Sequence, residues 1–263
     1  ENYILIFDLS ITFSPSRLIR RYFPFAWNPK HQARVGLLHR KDLSQAITWF
    51  DIAPCYIFHA MNSFEDSAGR VVLDAMRYER IFDQNKLGPF GEALPYPTRW
   101  IMDVSTGSVT EDQMDDRAAE FPRVHPDLEG KETQCGYALG VGTDASALDF
   151  NQILKYHRQN DHVEVHQLAP SKMASEPVFV PSENAKTEDE GYLLSYVFDQ
   201  DKETHHPPTL FGGWRVLVGQ NIVLGDGYGL PHGAPVKVGN NDGVFFGVCA
   251  PEDMPKLHMA CVY

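Results

Sequence analysis

Pro54-Cys55-Tyr56-Ile57-Phe58-His59-Ala60-Met61-Asn62-Ser63-Phe64-Glu65 places a single histidine at the end of a β-branched and aromatic run, with polar residues following it. A period of two puts Tyr56, Phe58 and Ala60 on one strand face and Cys55, Ile57 and His59 on the other. One face therefore sets an imidazole among small apolar neighbours. Two readings follow from that pattern. The histidine is a satisfied core or strand-end residue, imidazole being intermediate in burial. Alternatively it is a metal ligand, neutral imidazole being the commonest of these. Spacing alone does not separate the two.

Short strand-like runs continue on both sides of this stretch, at residues 3–9, 33–38, 46–50, 70–77, 98–103, 135–141, 161–167, 177–180 and 192–198. Gly, Pro, Asn and Asp punctuate them at the intervals of four-stranded blades or sandwiches. Val71, Leu73 and Ala75 alternate with Val72, Asp74 and Met76, the pattern of a half-buried strand. Helical periodicity is scarce; residues 149–157 carry its best instance and residues 14–22 a weaker one. Residues 83–97, with their Gly and Pro, read as a long surface loop, and 181–190, with Glu188-Asp189-Glu190, as a solvated turn. The expectation is a mostly antiparallel β-protein.

At 263 residues the chain can bury one sizeable all-β domain or two small ones. Its formal charge of −12, scattered along the sequence, excludes the basic footprint that nucleic acid requires. The same charge disfavours anionic membrane surfaces. Cys55, Cys135, Cys249 and Cys261 show no Cys-x-x-Cys spacing, so no disulfide scaffold is expected and a reducing, cytoplasmic compartment is the default. No run approaches the ~18 apolar residues of a spanning helix, which leaves peripheral membrane contact open.

The stretch around His59 resembles the third iron-ligand motif of the carotenoid cleavage oxygenases, the family that includes the lignostilbene dioxygenases. Four further blocks follow the family's order. Glu1-Asn2-Tyr3-Ile4-Leu5-Ile6-Phe7-Asp8-Leu9 resembles the segment after its second ligand histidine. Trp27-Asn28-Pro29 with Ala33-Arg34-Val35-Gly36-Leu37-Leu38 resembles the blade segment that comes next. Glu120-Phe121-Pro122-Arg123-Val124-His125-Pro126, with Gly136-Tyr137-Ala138, resembles its Glu-Phe-Pro-Arg segment. Ser175-Glu176-Pro177-Val178-Phe179-Val180-Pro181, then Glu188 to Asp199, resembles a strand pair near its C-terminal end. The resemblance implies an all-β fold, roughly the second half of a seven-bladed β-propeller, with few short helices and long loops on one face. On this reading the chain is the C-terminal part of a longer protein. Residues 1–200 form the partial propeller, residues 201–263 a divergent tail, and the first two ligand histidines lie upstream of residue 1.

What the family implies is a centre of four imidazoles on one Fe(II), unlike the two-histidine, one-carboxylate oxygenase site. Glutamates behind the ligands accept their other ring N–H and fix the tautomer. Carried over residue by residue, His59 is a metal ligand, Glu120 orients it, and Glu176 orients the fourth ligand. The family's Phe-His-Gly for that ligand is absent in register. Leu230-Pro231-His232-Gly233-Ala234-Pro235 echoes it, so either His232 is a displaced ligand or the tail is out of frame or foreign. The implied reaction cleaves a carbon–carbon double bond with dioxygen as co-substrate, giving two carbonyl products. Its substrate is an apolar conjugated small molecule, a carotenoid, apocarotenoid or stilbenoid, the latter two favoured by the blocks at residues 27–36 and 54–56. Phe58 and Phe64 would line the substrate tunnel. Two other classes compete with this reading. One is a propeller remnant that binds an apolar ligand or partner without turnover; the other is a propeller glycosidase with Glu120 and Glu176 facing each other ~5–9 Å apart. His166 and His125 read as structural, and His205-His206 as a turn before two prolines. The resemblance also makes a geometric demand: a Glu120 oxygen within ~3.2 Å of the His59 ring.

Overall fold

A computed structural model describes residues 1–88, 91–142, 149–158, 160, 162–199, 215–218 and 223–226, and these are built almost wholly from antiparallel strands. First come β1 (Tyr3–Asp8), β2 (Ile11–Phe13), a short helix α1 (Pro15–Ile19), β3 (Phe25–Trp27), β4 (Arg34–His39) and β5 (Thr48–Asp51). β1, β4 and β5 make one sheet, while β2 and β3 form a separate ribbon. The next sheet is a meander in chain order, β6 (Tyr56–Glu65), β7 (Val71–Tyr78), β8 (Pro95–Asp103) and β9 (Ser108–Gln113). A second meander repeats it with β10 (Ala119–Arg123), β11 (Cys135–Gly140), β12 (Gln152–His157) and β13 (His162–Gln167). In the last sheet β14 (Lys172–Ala174) and β15 (Val178–Pro181) both pair with β16 (Gly191–Asp199), which β17 (Arg215–Val218) and β18 (Val223–Asp226) extend. Successive four-stranded antiparallel sheets are the blades of a β-propeller, and this chain forms part of one.

Local chemistry sets the hairpins. Between β6 and β7 the Asp66 carboxylate accepts the backbone N–H groups of Ala68 (3.0 Å) and Arg70 (2.9 Å). Gly69 then closes the turn at φ +77, a left-handed conformation that only glycine adopts freely. The sheets stack through three successive cores. Val35, Phe50, Leu73 and Trp100 lie between the first and second sheets, and Met61, Met76, Ala138 and Leu154 between the second and third. Leu139, Ile153, Ala174 and Val197 lie between the third and last. Gly136 permits the second contact to be close, since a Cβ there would sit 2.5 Å from Met61 Sδ.

Two expectations are corrected here. β7 is not half-buried: Val71 to Met76 are buried on both faces, because each face of a central blade strand meets a neighbour. Asp74 shares that burial because Arg99 grips it bidentately (2.7 and 3.0 Å) and Arg158 of the next blade lies 2.5 Å away. Residues 149–157 are not helical; residues 152–157 are β12, paired on both sides. Its faces are both covered, so Ile153, Leu154 and Tyr156 cluster without strict alternation, and that clustering mimics a helical repeat. Of residues 14–22 only Pro15–Ile19 is helical, with proline preset at the first turn. Most of residues 201–263, including His205, His206, His232, Cys249 and Cys261, lie outside the described residues.

Candidate metal centre

His59 stands where β6 departs from regular pairing. The register against β7 shifts between Ile57 and Ala60 and again between Ala60 and Asn62. Strict two-residue alternation therefore fails: Met61 and Asn62 are buried in succession, while His59 stays partly open with its side chain 31 % exposed. Such bulges re-aim a side chain away from the pleat. β10 is irregular in its turn, with a register shift between Glu120 and Arg123 and Phe121 at φ +52. Both strands are edges of their sheets, and they pack against each other.

Across that junction His59 Nδ1–H donates to Glu120 Oε2 at 2.7 Å. The same oxygen accepts the Phe121 backbone N–H, also at 2.7 Å. Glu120 is only 2 % exposed, and a carboxylate so enclosed needs donors to replace its water. The Tyr78 phenol lies beside it, its ionisation pushed upward by burial first and by the Glu120 charge second. Phe121 packs 5.0 Å from the His59 ring, and Phe58 lies 6.3 Å away. The bond to Glu120 raises the pKa of His59 above the usual imidazole range, with burial opposing it. The Glu176 charge adds to the rise and Arg123 counters it. His59 Nε2 makes no hydrogen bond among the described residues. An imidazole tied to a carboxylate through one nitrogen and open at the other is oriented to give its second lone pair to a proton or a metal ion.

Glu176 follows β14 and forms an ion pair with Arg123 of β10, Nε to Oε1 at 2.8 Å. The structure thus brings His59, Glu120, Arg123 and Glu176 into one neighbourhood. Arg123 was not anticipated; the signal lay in its place three residues after Glu120. The two glutamates are engaged by an imidazole and a guanidinium respectively, so they are not the free facing pair a glycosidase needs. Among the described residues no group of three or more His, Cys, Asp and Glu side chains is arranged to hold a metal ion. This part of the chain contributes one oriented imidazole, which fits a centre assembled from several segments.

A half-open cavity of about 540 Å³ reaches Phe58, the residue before His59, and is walled by Phe7, Phe23, Phe25, Tyr56, Phe58 and Phe82 among others, with His59 outside its wall. Phe58 is in that wall. Phe64 is not; it is 5 % exposed and pairs with Val72, six residues or roughly 20 Å further along the strand. Phe23 and Phe82, stacked at 4.5 Å, come from loops with no periodicity to betray them. Their placement depends on tertiary ties: the Glu92 carboxylate accepts the Asp83 and Asn85 N–H groups, and Arg17 donates to the Asp83 carbonyl at 2.8 Å. His125 accepts the Asp127 N–H and packs on Phe179. His166 is part-buried on β13, with its pKa lowered by that burial. Both are structural.

Residues 1–207 match the family model described as retinal pigment epithelial membrane protein. A carotenoid cleavage oxygenase of Mycobacterium tuberculosis is 30 % identical over 249 residues, covering 77 % of this chain and 50 % of the relative. An isoeugenol monooxygenase of Pseudomonas putida is 27 % identical over 220 residues, covering 77 % of this chain and 46 % of the relative. Among solved structures, cobalt-substituted Synechocystis apocarotenoid oxygenase superposes with a TM-score of 0.70 at 22 % identity, over 82 % of this chain and 45 % of that one. The chain spans about half the length of the curated relatives it matches.

Proposed function

This chain belongs to the retinal pigment epithelial membrane protein family, that of the carotenoid cleavage oxygenases, and from that premise we propose that it forms part of a non-haem Fe(II) dioxygenase. The reaction splits a C=C bond of a carotenoid, apocarotenoid or stilbenoid, each carbon taking one oxygen atom of dioxygen to become a carbonyl. The observation that carries the reading is the 2.7 Å bond from His59 to the buried Glu120. Glu120 keeps the Nδ1 proton in place, so the Nε2 lone pair faces outward for a metal. His59 would hold the iron together with imidazoles from elsewhere, the fourth being His232 where the tail carries a displaced ligand motif and another segment's histidine where the tail is foreign, and Glu176 would orient that fourth ligand. Fe(II), when bound, supplies the chemistry by which dioxygen reacts with an alkene. The aromatic cavity beside Phe58 has the volume and the apolar side chains to take a conjugated small molecule. Stilbenoids and apocarotenoids are the favoured classes.

Peripheral membrane contact belongs to the same reading. Phe13, Leu18, Ile19 and Phe25 are exposed around α1, next to the exposed Arg20 and Arg21. Apolar and basic side chains in one place suit a membrane interface. Among the described residues no helix is long and apolar enough to cross a membrane. A ligand-binding remnant without turnover is not favoured, since it has no use for an imidazole fixed by a buried carboxylate. The test is to express the chain with its flanking coding sequence and measure iron content and aldehyde release from a stilbenoid and an apocarotenoid. Bound iron and aldehydes from at least one substrate are expected. A folded protein that holds no iron and cleaves neither would overturn the proposal.

A further inference from the structure

The backbone beneath Glu176 is fixed more firmly than its side chain. Ser175 N–H donates to the Tyr196 carbonyl (2.7 Å), Ser175 Oγ accepts the Tyr196 N–H (2.9 Å), and Ser195 Oγ–H donates to the Ser175 carbonyl (2.6 Å). The Glu176 carboxylate beyond that anchor is 34 % exposed, and without Arg123 its rotamers would be open to solvent. Arg123 Nε lies 2.8 Å from Oε1 as an ion pair without the alignment of a hydrogen bond, and Oε2 makes no hydrogen bond among the described residues. A half-exposed ion pair adds little to stability, so folding gives small reason for this one. The guanidinium instead sets a permanent positive charge against one side of the carboxylate, and that charge holds Glu176 toward β10.

We infer that Arg123 is a positioning residue that holds Glu176 in the orientation needed to accept the ring N–H of a second metal-bound imidazole. This rests on the metal-centre reading proposed above and adds a residue to it. β10 then serves the centre twice: Glu120 orients His59 directly, and Arg123 orients the next carboxylate. The turn at Phe121, φ +52, brings both functions into four residues of one strand. Arg123 stands three residues from Glu120, whose carboxylate bonds the His59 ring, which places the Arg123–Glu176 pair beside the site.

The experiment is a double-substitution cycle in the complete protein, with Co(II) as probe. Its affinity is measured by chelator competition, its absorption spectrum reports ligand geometry, and an unfolding midpoint serves as control. Glu176→Gln is expected to weaken Co(II) binding roughly 10- to 100-fold, the usual effect of losing a ligand's carboxylate partner. Arg123→Gln is expected to weaken it about tenfold with a shifted spectrum and a nearly unchanged midpoint, and Arg123→Lys to recover only part of the loss. The double variant should bind no worse than Glu176→Gln alone, since Arg123 acts only through Glu176. Multiplying effects in the double variant would overturn the inference. So would normal affinity in Arg123→Gln where Glu176→Gln is weakened, and that result would leave the metal-centre reading intact. A wild-type protein that binds no Co(II) would remove both together.

Discussion

Glu120→Gln isolates charge from shape at the candidate centre. A glutamine amide oxygen can still accept from both His59 Nδ1–H and the Phe121 N–H, while its NH₂ turns toward the Tyr78 oxygen. What disappears is the negative charge behind the imidazole, in a place only 2 % exposed and so weakly screened. A hydrogen bond to a charged group contributes about 1.5–3 kcal/mol, against about 1 for a neutral one. The difference, about 0.5–2 kcal/mol, corresponds to a roughly 2- to 30-fold loss of metal affinity. The measurement is Fe(II) or Co(II) affinity of the complete protein under chelator competition, with circular dichroism to establish that the variant is folded. A folded Glu120→Gln protein that binds metal within twofold of wild type would refute the role assigned to this carboxylate. A variant that fails to fold is answered by Glu120→Asp, which keeps the charge but shortens its reach and should lower affinity with less effect on folding.

Three further outcomes follow from the same geometry. His59→Ala should abolish iron-dependent turnover of the complete protein and also lower its unfolding midpoint, because the buried Glu120 carboxylate loses its imidazole donor; residual turnover above a tenth of wild type would remove His59 from the centre. Asp74→Ala leaves the Arg158 guanidinium buried with its counter-charge gone, and denaturant unfolding should show a loss of about 3–5 kcal/mol; a loss under about 1 would mean Arg158 finds another partner. Gly191→Ala drives a methyl into the Val180 carbonyl oxygen and within 2.6 Å of the Phe179 ring, so unfolding should register about 1–3 kcal/mol of destabilisation, and an unchanged midpoint would show that the β15–β16 hairpin yields.

The strands were legible because their runs are short, β-branched and bracketed by turn residues. That logic located β1, β4, β8, β11 and β16 to within a few residues. It failed where a strand is covered on both sides. In β7 and β12 burial no longer follows alternation, so the sequence pattern of one predicts a half-exposed strand and that of the other a helix. The aromatic wall failed for another reason. Phe23 and Phe82 meet through loops held by Arg17 and Glu92, contacts that span up to 66 residues and leave no local periodicity. The meeting of His59 with Glu120, 61 residues apart, was legible only through family resemblance. No property of either segment alone points to the other.

The site also sits where regular strand geometry would have hidden it. Had β6 kept its pleat, successive side chains from Ile57 to Asn62 would alternate strictly between two covered faces. Instead two register shifts leave Ile57, Met61 and Asn62 buried while His59 stays partly open to take a ligand. On β10 a left-handed Phe121, which costs about 1–2 kcal/mol, delivers the Glu120 carboxylate to its neighbour's ring and caps it with the Phe121 N–H. Neither distortion would persist in an isolated hairpin. Each is held by interblade packing, Met61 against the cleft that Gly136 leaves open and Asp74 clamped by Arg158. The stability of the blade junction and the orientation of the imidazole are therefore one property. Substitutions such as Asp74→Ala, remote from the ring, should loosen His59 before they unfold the sheet.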